Sequence, residues 1–100
     1  MKQYELSILK AAKSDIRHAN IWYNLQKENL GNEFLIEIEK YLVQIQTNPK
    51  QFPKHKNSIR KAVLRKFPYC IFFSIQSNII KVIAVFHNSR NPITWMRRVK

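Results

Sequence analysis

The chain has 100 residues, 45% of them apolar, which is enough for one domain with a real core and too few for two. One glycine, four prolines and one cysteine exclude the low-complexity and disulfide-rich classes. No apolar run approaches the roughly 20 residues of a membrane helix, and no secretory signal is recognisable. We therefore predict a single domain over residues 1–100, in the cytoplasm and with no membrane partner.

The net charge of +12 is distributed very unevenly along the chain. Six cations and six carboxylates balance within residues 1–48, whereas residues 49–100 hold twelve cations and no carboxylate. This asymmetry predicts an electropositive face whose partner is polyanionic: a nucleic acid, a ribosome or an acidic protein segment. The alternative is a well-solvated basic surface without such a partner.

The first predicted element is a short strand over residues 3–8, where apolar and polar residues alternate. From about Leu9 the apolar spacing changes to three and four residues, which predicts a helix that ends near residues 28–29. Gly31 is expected to supply the break after it. A second helical stripe follows and ends before Pro49, so the two helices are predicted to form an antiparallel hairpin.

Three strands are predicted after a polar, basic loop over residues 49–58. A basic strand covers residues 60–66, and two apolar strands cover residues 69–76 and 79–87 with a tight turn between them. The order β-α-α-β-β-β predicts an α+β fold, with an antiparallel sheet of about four strands and the helical hairpin packed on one face. The other face is then expected to present Lys and Arg.

Several conspicuous side chains are predicted to be structural. Trp22 and Tyr23 lie at helical spacing beside an apolar stripe and are expected in the core. Cys70 lies within an apolar strand, which favours a buried, inert thiol over a nucleophile. Three scattered His and one Cys lack ligand spacing, and one glycine cannot build a phosphate loop, so no metal and no cofactor are predicted.

A set of short motifs, each weak alone, occurs in a fixed order. They are AKSDI at 12–16 leading to Trp22-Tyr23, Leu30-Gly31 before Phe34, IQTNP at 45–49 with Phe52-Pro53, LRKFPY at 64–69, and AVFHNSRNP at 84–92 followed by Trp95 and Arg98. In this order they resemble the RelE/ParE family of type II toxins over nearly the full length. The resemblance implies the RelE/ParE toxin-like fold and a small basic toxin neutralised by a cognate antitoxin.

The antitoxins of this family wrap the toxin with a segment that folds as it binds, and its acids would pair with toxin Lys and Arg. Beyond the antitoxin, the family divides by mechanism. RelE-like members cut messenger RNA in the ribosomal A site, whereas ParE-like members poison DNA gyrase without being nucleases. Both use one scaffold, so the fold cannot choose between these targets.

Compared with the RelE-like pattern, the chain keeps some basic positions and loses others. Lys61 and Arg65 match expected basic positions, but Val63 stands where a second Lys is expected and Cys70 where the transition-state Arg is expected. Trp95 has no ionisable group and cannot act as an acid. A ribonuclease needs such cations and an acid, so these departures weaken the RelE-like reading.

The ParE-like closing pattern, His87-x-x-Arg90-x-Pro92, is complete. The leading hypothesis is therefore a ParE-like toxin that inhibits growth by binding DNA gyrase and is not an enzyme. The first alternative is a RelE-like endoribonuclease that acts on mRNA at the ribosome, with Arg65, His87 and Arg90 as catalytic candidates; otherwise His87 holds the turn before Arg90. The second alternative is a basic nucleic-acid-binding module.

The residues predicted to bind the target or the antitoxin are Arg60, Lys61, Arg65, Arg90, Trp95, Arg97 and Arg98.

Overall fold

The computed structural model describes residues 4–91 and residue 98. In chain order the elements are β1 (Glu5–Ile8), α1 (Lys10–Gln26), α2 (Leu30–Thr47), a 3₁₀ turn (Pro49–Gln51), β2 (Lys54–Lys56), β3 (Ile59–Val63), β4 (Tyr69–Gln76) and β5 (Ile79–His87). The predicted α+β fold is confirmed, with five strands instead of about four. In the described part of the chain, neither helix is long and apolar enough to cross a bilayer.

The five strands form one mixed sheet in the order β1-β5-β4-β3-β2. β1 runs parallel to β5, and the other neighbours are antiparallel. The prediction of an antiparallel sheet is therefore wrong for this one pair, because β1 and β5 are joined by no local turn and their relative direction depends on the path of the whole chain between them. The additional strand β2 lies within the predicted loop at 49–58. It has three exposed residues and no apolar alternation, so only its pairing with β3, where Lys54 is opposite Arg60, makes it a strand.

The helical hairpin depends on a close approach at Gly31. A Cβ atom at this position would lie 2.2 Å from Asn20 Oδ1 and 2.5 Å from the Asn20 carbonyl oxygen, so only glycine fits against α1. The Gly31 amide donates to Asn24 Oδ1 at 2.7 Å, which ties the two helices together. The chain reversal itself lies two residues before Gly31, at Asn29, whose φ of 72° is left-handed.

The hairpin covers one face of the sheet, which we call the near face. Its core contains apolar side chains from both helices and from β3, β4 and β5, and an aromatic cluster formed by Tyr23, Phe34, Phe67 and Tyr69. Tyr23 is buried as predicted, whereas Trp22, the preceding residue, is 54% exposed. The prediction of Trp22 as a core residue is therefore wrong, because the stripe that faces the sheet passes through Tyr23 and turns Trp22 outward.

The opposite face of the sheet, the far face, differs from the prediction in its centre. A second apolar cluster lies there, formed by Ile59, Cys70, Phe72, Ile83, Ala84 and Phe86, and all six residues are buried. A bulge in the β4–β5 pairing turns both Ile83 and Ala84 to this side. Lys61 lies over the Phe72 ring, so the far face has an apolar centre with its cations at the margin. The burial predicted for Cys70 is confirmed.

Candidate functional site

A groove of about 660 Å³ lies where one face of α1 meets the first residue of β4 and the last residues of β5. Asp15, Ala19 and Trp22 reach it from α1 because spacings of four and three residues place them on one helical face. Tyr69 and His87 are direct neighbours across the β4–β5 ladder. The complete lining is Asp15, His18, Ala19, Trp22, Tyr23, Pro68, Tyr69, Val85, His87 and Arg90.

His87 ends β5 and organises the turn that follows it. Its Nδ1 accepts the Ser89 amide at 3.1 Å and lies 2.8 Å from the Ser89 hydroxyl, while its carbonyl accepts the Arg90 amide at 2.9 Å. The ring packs edge-on against Tyr69, with centroids 5.2 Å apart. One ring nitrogen is thus engaged in holding the turn, which is the structural role that the sequence offered as an alternative to catalysis.

Arg90 and Tyr69 give the groove its polar end. The guanidinium carbon of Arg90 lies 4.0 Å from the centroid of the Phe86 ring, a stacked geometry that fixes the side chain. Burial is the largest effect on the pKa of the Tyr69 hydroxyl and raises it. The positive charge of Arg90 lowers this pKa and the negative charge of Asp15 raises it, and the net shift is upward. Tyr69 therefore stays protonated at neutral pH and offers the groove a hydrogen-bond donor, not a base.

Asp15 lies on the groove wall and joins α1 to the edge of β5. Its Oδ2 accepts the Val85 amide at 3.0 Å and an Arg98 guanidinium N–H at 2.8 Å, and its Oδ1 accepts a second one at 3.2 Å. Arg98 also donates to the Ile83 carbonyl at 3.0 Å. Arg98, predicted as a partner-binding residue, is thus paired within the chain.

Arg65, the third catalytic candidate, lines a different and smaller cavity. This cavity, of about 230 Å³, lies between α2 and the β3–β4 connection and is lined by Glu37, Lys40, Tyr41, Gln44, Arg65 and Lys66. Glu37 is buried, and its Oε2 accepts the backbone amides of Arg65 at 3.2 Å and Lys66 at 3.0 Å. The structure therefore brings His87 and Arg90 together and places Arg65 elsewhere.

The remaining predicted binding residues are spread over other surfaces. Arg60 donates to the carbonyl oxygens of Phe52 at 2.7 Å and Lys50 at 3.5 Å, so its charge holds the chain before β2. Lys61 lies on the far face with its Nζ 5.9 Å from the Phe72 centroid. Trp95 and Arg97 lie outside the described residues, and their predicted roles stay predictions.

Sequence reasoning missed Asp15, Glu37 and Tyr69 as site-forming residues. A faint pattern marks Asp15, which lies three residues after Ala12 and four before Ala19 on the stripe that faces the sheet. A carboxylate among small apolar residues at helical spacing predicts a buried acid with a partner. Nothing comparable marks the partner itself, because the Val85 amide and Arg98 are 70 and 83 residues away in the chain.

Chemically, the groove is an aromatic wall with one guanidinium and one internally paired carboxylate. The rings of Trp22, Tyr23, Tyr69 and His87 form the wall through edge-on contacts at 5.1 to 6.0 Å. Within the described residues there is no cluster of three metal-ligating side chains. Such a surface is suited to binding an apolar or aromatic side chain beside an anionic group of a partner.

Two solved structures are similar to this chain. A chain of the chromosomal ParDE TA system from P. aeruginosa superposes with a TM-score of 0.76 at 15% identity, covering 84% of this chain and 95% of that one. The free E. coli toxin RelE, as a mutant, gives a TM-score of 0.67 at 15% identity and covers 98% and 99% of the two chains. No protein-family profile matches the sequence, and no curated protein matches it. At this identity the similarity establishes the fold, and the predicted RelE/ParE-like architecture is confirmed.

Proposed function

We propose that this chain, which has the RelE/ParE toxin fold, is the toxin of a type II toxin–antitoxin system. The fold extends over 98% of the chain in the comparison with RelE, and a ParDE chain is similar over 84%. The second half of the chain carries twelve cations and no carboxylate, which suits an acidic neutralising partner. Fold alone does not fix function, so the proposal also depends on the surfaces described above.

The antitoxin is proposed to bury apolar side chains that the helices leave exposed. Ile21, Trp22 and Leu25 are 50%, 54% and 78% exposed on one side of α1, next to the groove. Ile36 and Val43 are exposed on α2. Apolar groups rimmed by charge mark protein-binding surfaces, and a segment that folds on binding can cover several at once.

We propose further that the chain acts like the ParE-like branch: it inhibits DNA gyrase by binding to it and is not a nuclease. The observation that carries this choice is the separation of the three nuclease candidates. Arg65 lines the cavity beside α2, while His87 and Arg90 lie at the groove with one His87 nitrogen engaged by Ser89. Catalysis of RNA cleavage needs a base, a cation and an acid around one phosphate.

Position 70 supports the same choice. Where the RelE-like pattern has an Arg for the transition state, this chain has Cys70, which is 2% exposed and lies 3.6 Å from the Phe86 carbonyl oxygen. Burial raises the pKa of this thiol, with a smaller opposing effect of Lys61. A buried, protonated thiol supplies no positive charge to a phosphate.

A supercoiling assay with purified chain and gyrase tests the proposal. We expect supercoiling to be inhibited and cleaved DNA to accumulate. The His87→Ala variant is expected to keep inhibiting gyrase, because binding requires no proton transfer by the ring, while Arg90→Ala should weaken inhibition about tenfold or more as a lost charged contact. Arg17→Ala, an exposed cation on α1, is the matched control. Untouched supercoiling together with cleaved ribosome-bound messages would move the chain to the RelE-like branch.

A further inference from the structure

The β2 edge of the sheet and the residues around it carry a concentration of positive charge. Five cations lie within residues 50–61, with no carboxylate after Glu39 anywhere in the chain. They are Lys50, Lys54, Lys56, Arg60 and Lys61, and we call this surface the basic edge. Lys50, Lys54 and Lys56 are exposed, and β2 ends the sheet on this side.

The backbone places these cations on both faces of one sheet edge. Arg60 donates to the carbonyls of Lys50 and Phe52, which fixes the 3₁₀ turn against β3. The pairing of β2 with β3 shifts register between Lys54 and Lys56, and Lys56 lies opposite Ile59 of the far face. Opposite residues share a face, so Lys56 lies on the same side as Lys61, two residues beyond Ile59. By the same rule Lys54, opposite Arg60, lies on the near-face side of this edge.

The chemistry available at this edge is mainly that of phosphate contact, with the imidazole of His55 as the one exposed ring of β2. Phe72, which contacts both Lys61 and His55, is 3% exposed, so no base can stack on it. The ring of His55 is exposed and packs edge-on against Phe72, with centroids 5.4 Å apart. Lysines present a flexible point charge that suits a phosphate and carries no sequence information. A surface with three exposed Lys and one exposed ring, in a stretch of sequence without carboxylates, therefore favours a polyanionic backbone over individual bases.

We infer that the basic edge binds the phosphate backbone of duplex DNA without sequence preference. The choice of duplex DNA rests on the proposed function, because gyrase acts on DNA that would lie beside a toxin bound to the enzyme. The basic edge and the groove share no residue, so one surface can contact DNA while the other contacts protein. Edge lysines also block sheet-to-sheet pairing, but that role does not depend on DNA or on salt.

Binding to a short fluorescent DNA duplex, measured by anisotropy over a salt series, tests the inference. The variant K50Q/K54Q/K56Q removes the three exposed lysines of the basic edge. Three lost phosphate contacts should reduce the slope of log Kobs against log salt by about 2.7 and weaken binding at least about tenfold near physiological salt. The control K10Q/K13Q/K27Q removes three exposed lysines from the helical half and the same net charge, and it should change binding several-fold less.

Equal losses in the two triple variants would overturn the inference, since net charge alone would then explain binding. Tighter binding of single-stranded RNA than of the duplex would overturn it too, as would displacement of the duplex by polyglutamate as effective as displacement by unlabelled DNA. The assay contains no gyrase, so a wild type that binds DNA through this edge but leaves supercoiling intact would refute the proposed function and keep the basic edge.

Discussion

The helical half and the sheet half of this molecule use charge in opposite ways. Residues 1–48 contain all six carboxylates, and residues 49–100 contain twelve cations with none. Four of the carboxylates are exposed, whereas Asp15 and Glu37 are turned towards the sheet half. Each of these two accepts backbone amides from that half, at Val85 and at Arg65 and Lys66.

This difference teaches how a strongly basic half can remain folded. The two inward carboxylates do not neutralise the cations as a group. They bind backbone amides at two positions that the sheet ladders leave open, the connection between β3 and β4 and the last part of β5. Their anionic charge strengthens these hydrogen bonds, and the exposed Lys and Arg keep their charge for partners.

Removing the Glu37 carboxylate is the strongest way to break the link between the halves. Glu37→Ala leaves two amides of the β3–β4 connection without an acceptor and should lower the free energy of unfolding by about 3 kcal/mol. Glu37→Gln keeps one oxygen acceptor without the charge and should cost about 1 kcal/mol. Urea unfolding measures both. Glu39→Ala, exposed on the same helix, is the control; an equal loss there would mean that helix propensity, and not the amide contacts, is responsible.

A double-mutant cycle between Asp15 and Arg98 sharpens the comparison at the other contact. Asp15→Asn retains an acceptor for the Val85 amide but loses the ion pair, and Arg98→Gln removes the guanidinium. Because both side chains are partly buried and the contact is bidentate, we expect a coupling energy of about 1 kcal/mol. The coupling should shrink at high salt. Strictly additive losses in urea unfolding would show that the pair does not join the halves.

The smallest expected effect is a pH dependence that separates the two halves. Burial raises the pKa of Tyr23 in α1, with a smaller contribution from Tyr69, and burial raises that of Cys70 in β4. Each folded pKa exceeds the unfolded one, so the stability contributed is complete below the unfolded value and is lost as pH rises through the folded value. The loss of stability should begin at about pH 8.5 for the thiol and about pH 10 for the phenol.

Thermal melts over this pH range distinguish the two groups. Cys70→Ala should remove the part that begins at lower pH, and Tyr23→Phe the part that begins at higher pH, with Tyr4→Phe, a half-buried tyrosine outside both groups, as control. An unchanged pH profile in both variants would contradict the assignment to these side chains.

Most of the fold was predictable because its elements are specified locally. The helical stripes through Tyr23 and Phe34 and the turn at Ser77, whose φ is 57°, are marked in the sequence itself. Two features were not predictable from local sequence. The strand β2 exists only through its pairing with β3, and the parallel pairing of β1 joins it to β5, a strand distant in sequence. The groove was predicted less well. His87 and Arg90 were identified from the sequence, but Asp15 was not, because its partners are distant in the chain and no local pattern reveals them.

The edge of β5 beyond β1 has a consequence for how the molecule behaves at high concentration. β1 pairs with β5 only as far as Val82, and in the described chain the next backbone groups, at Ile83 and Val85, meet side chains of Arg98 and Asp15 instead of another strand. An uncovered strand edge is a template for intermolecular stacking into fibres. Two side chains here take the place of a neighbouring strand, so one guanidinium and one carboxylate shield this edge from pairing with another molecule.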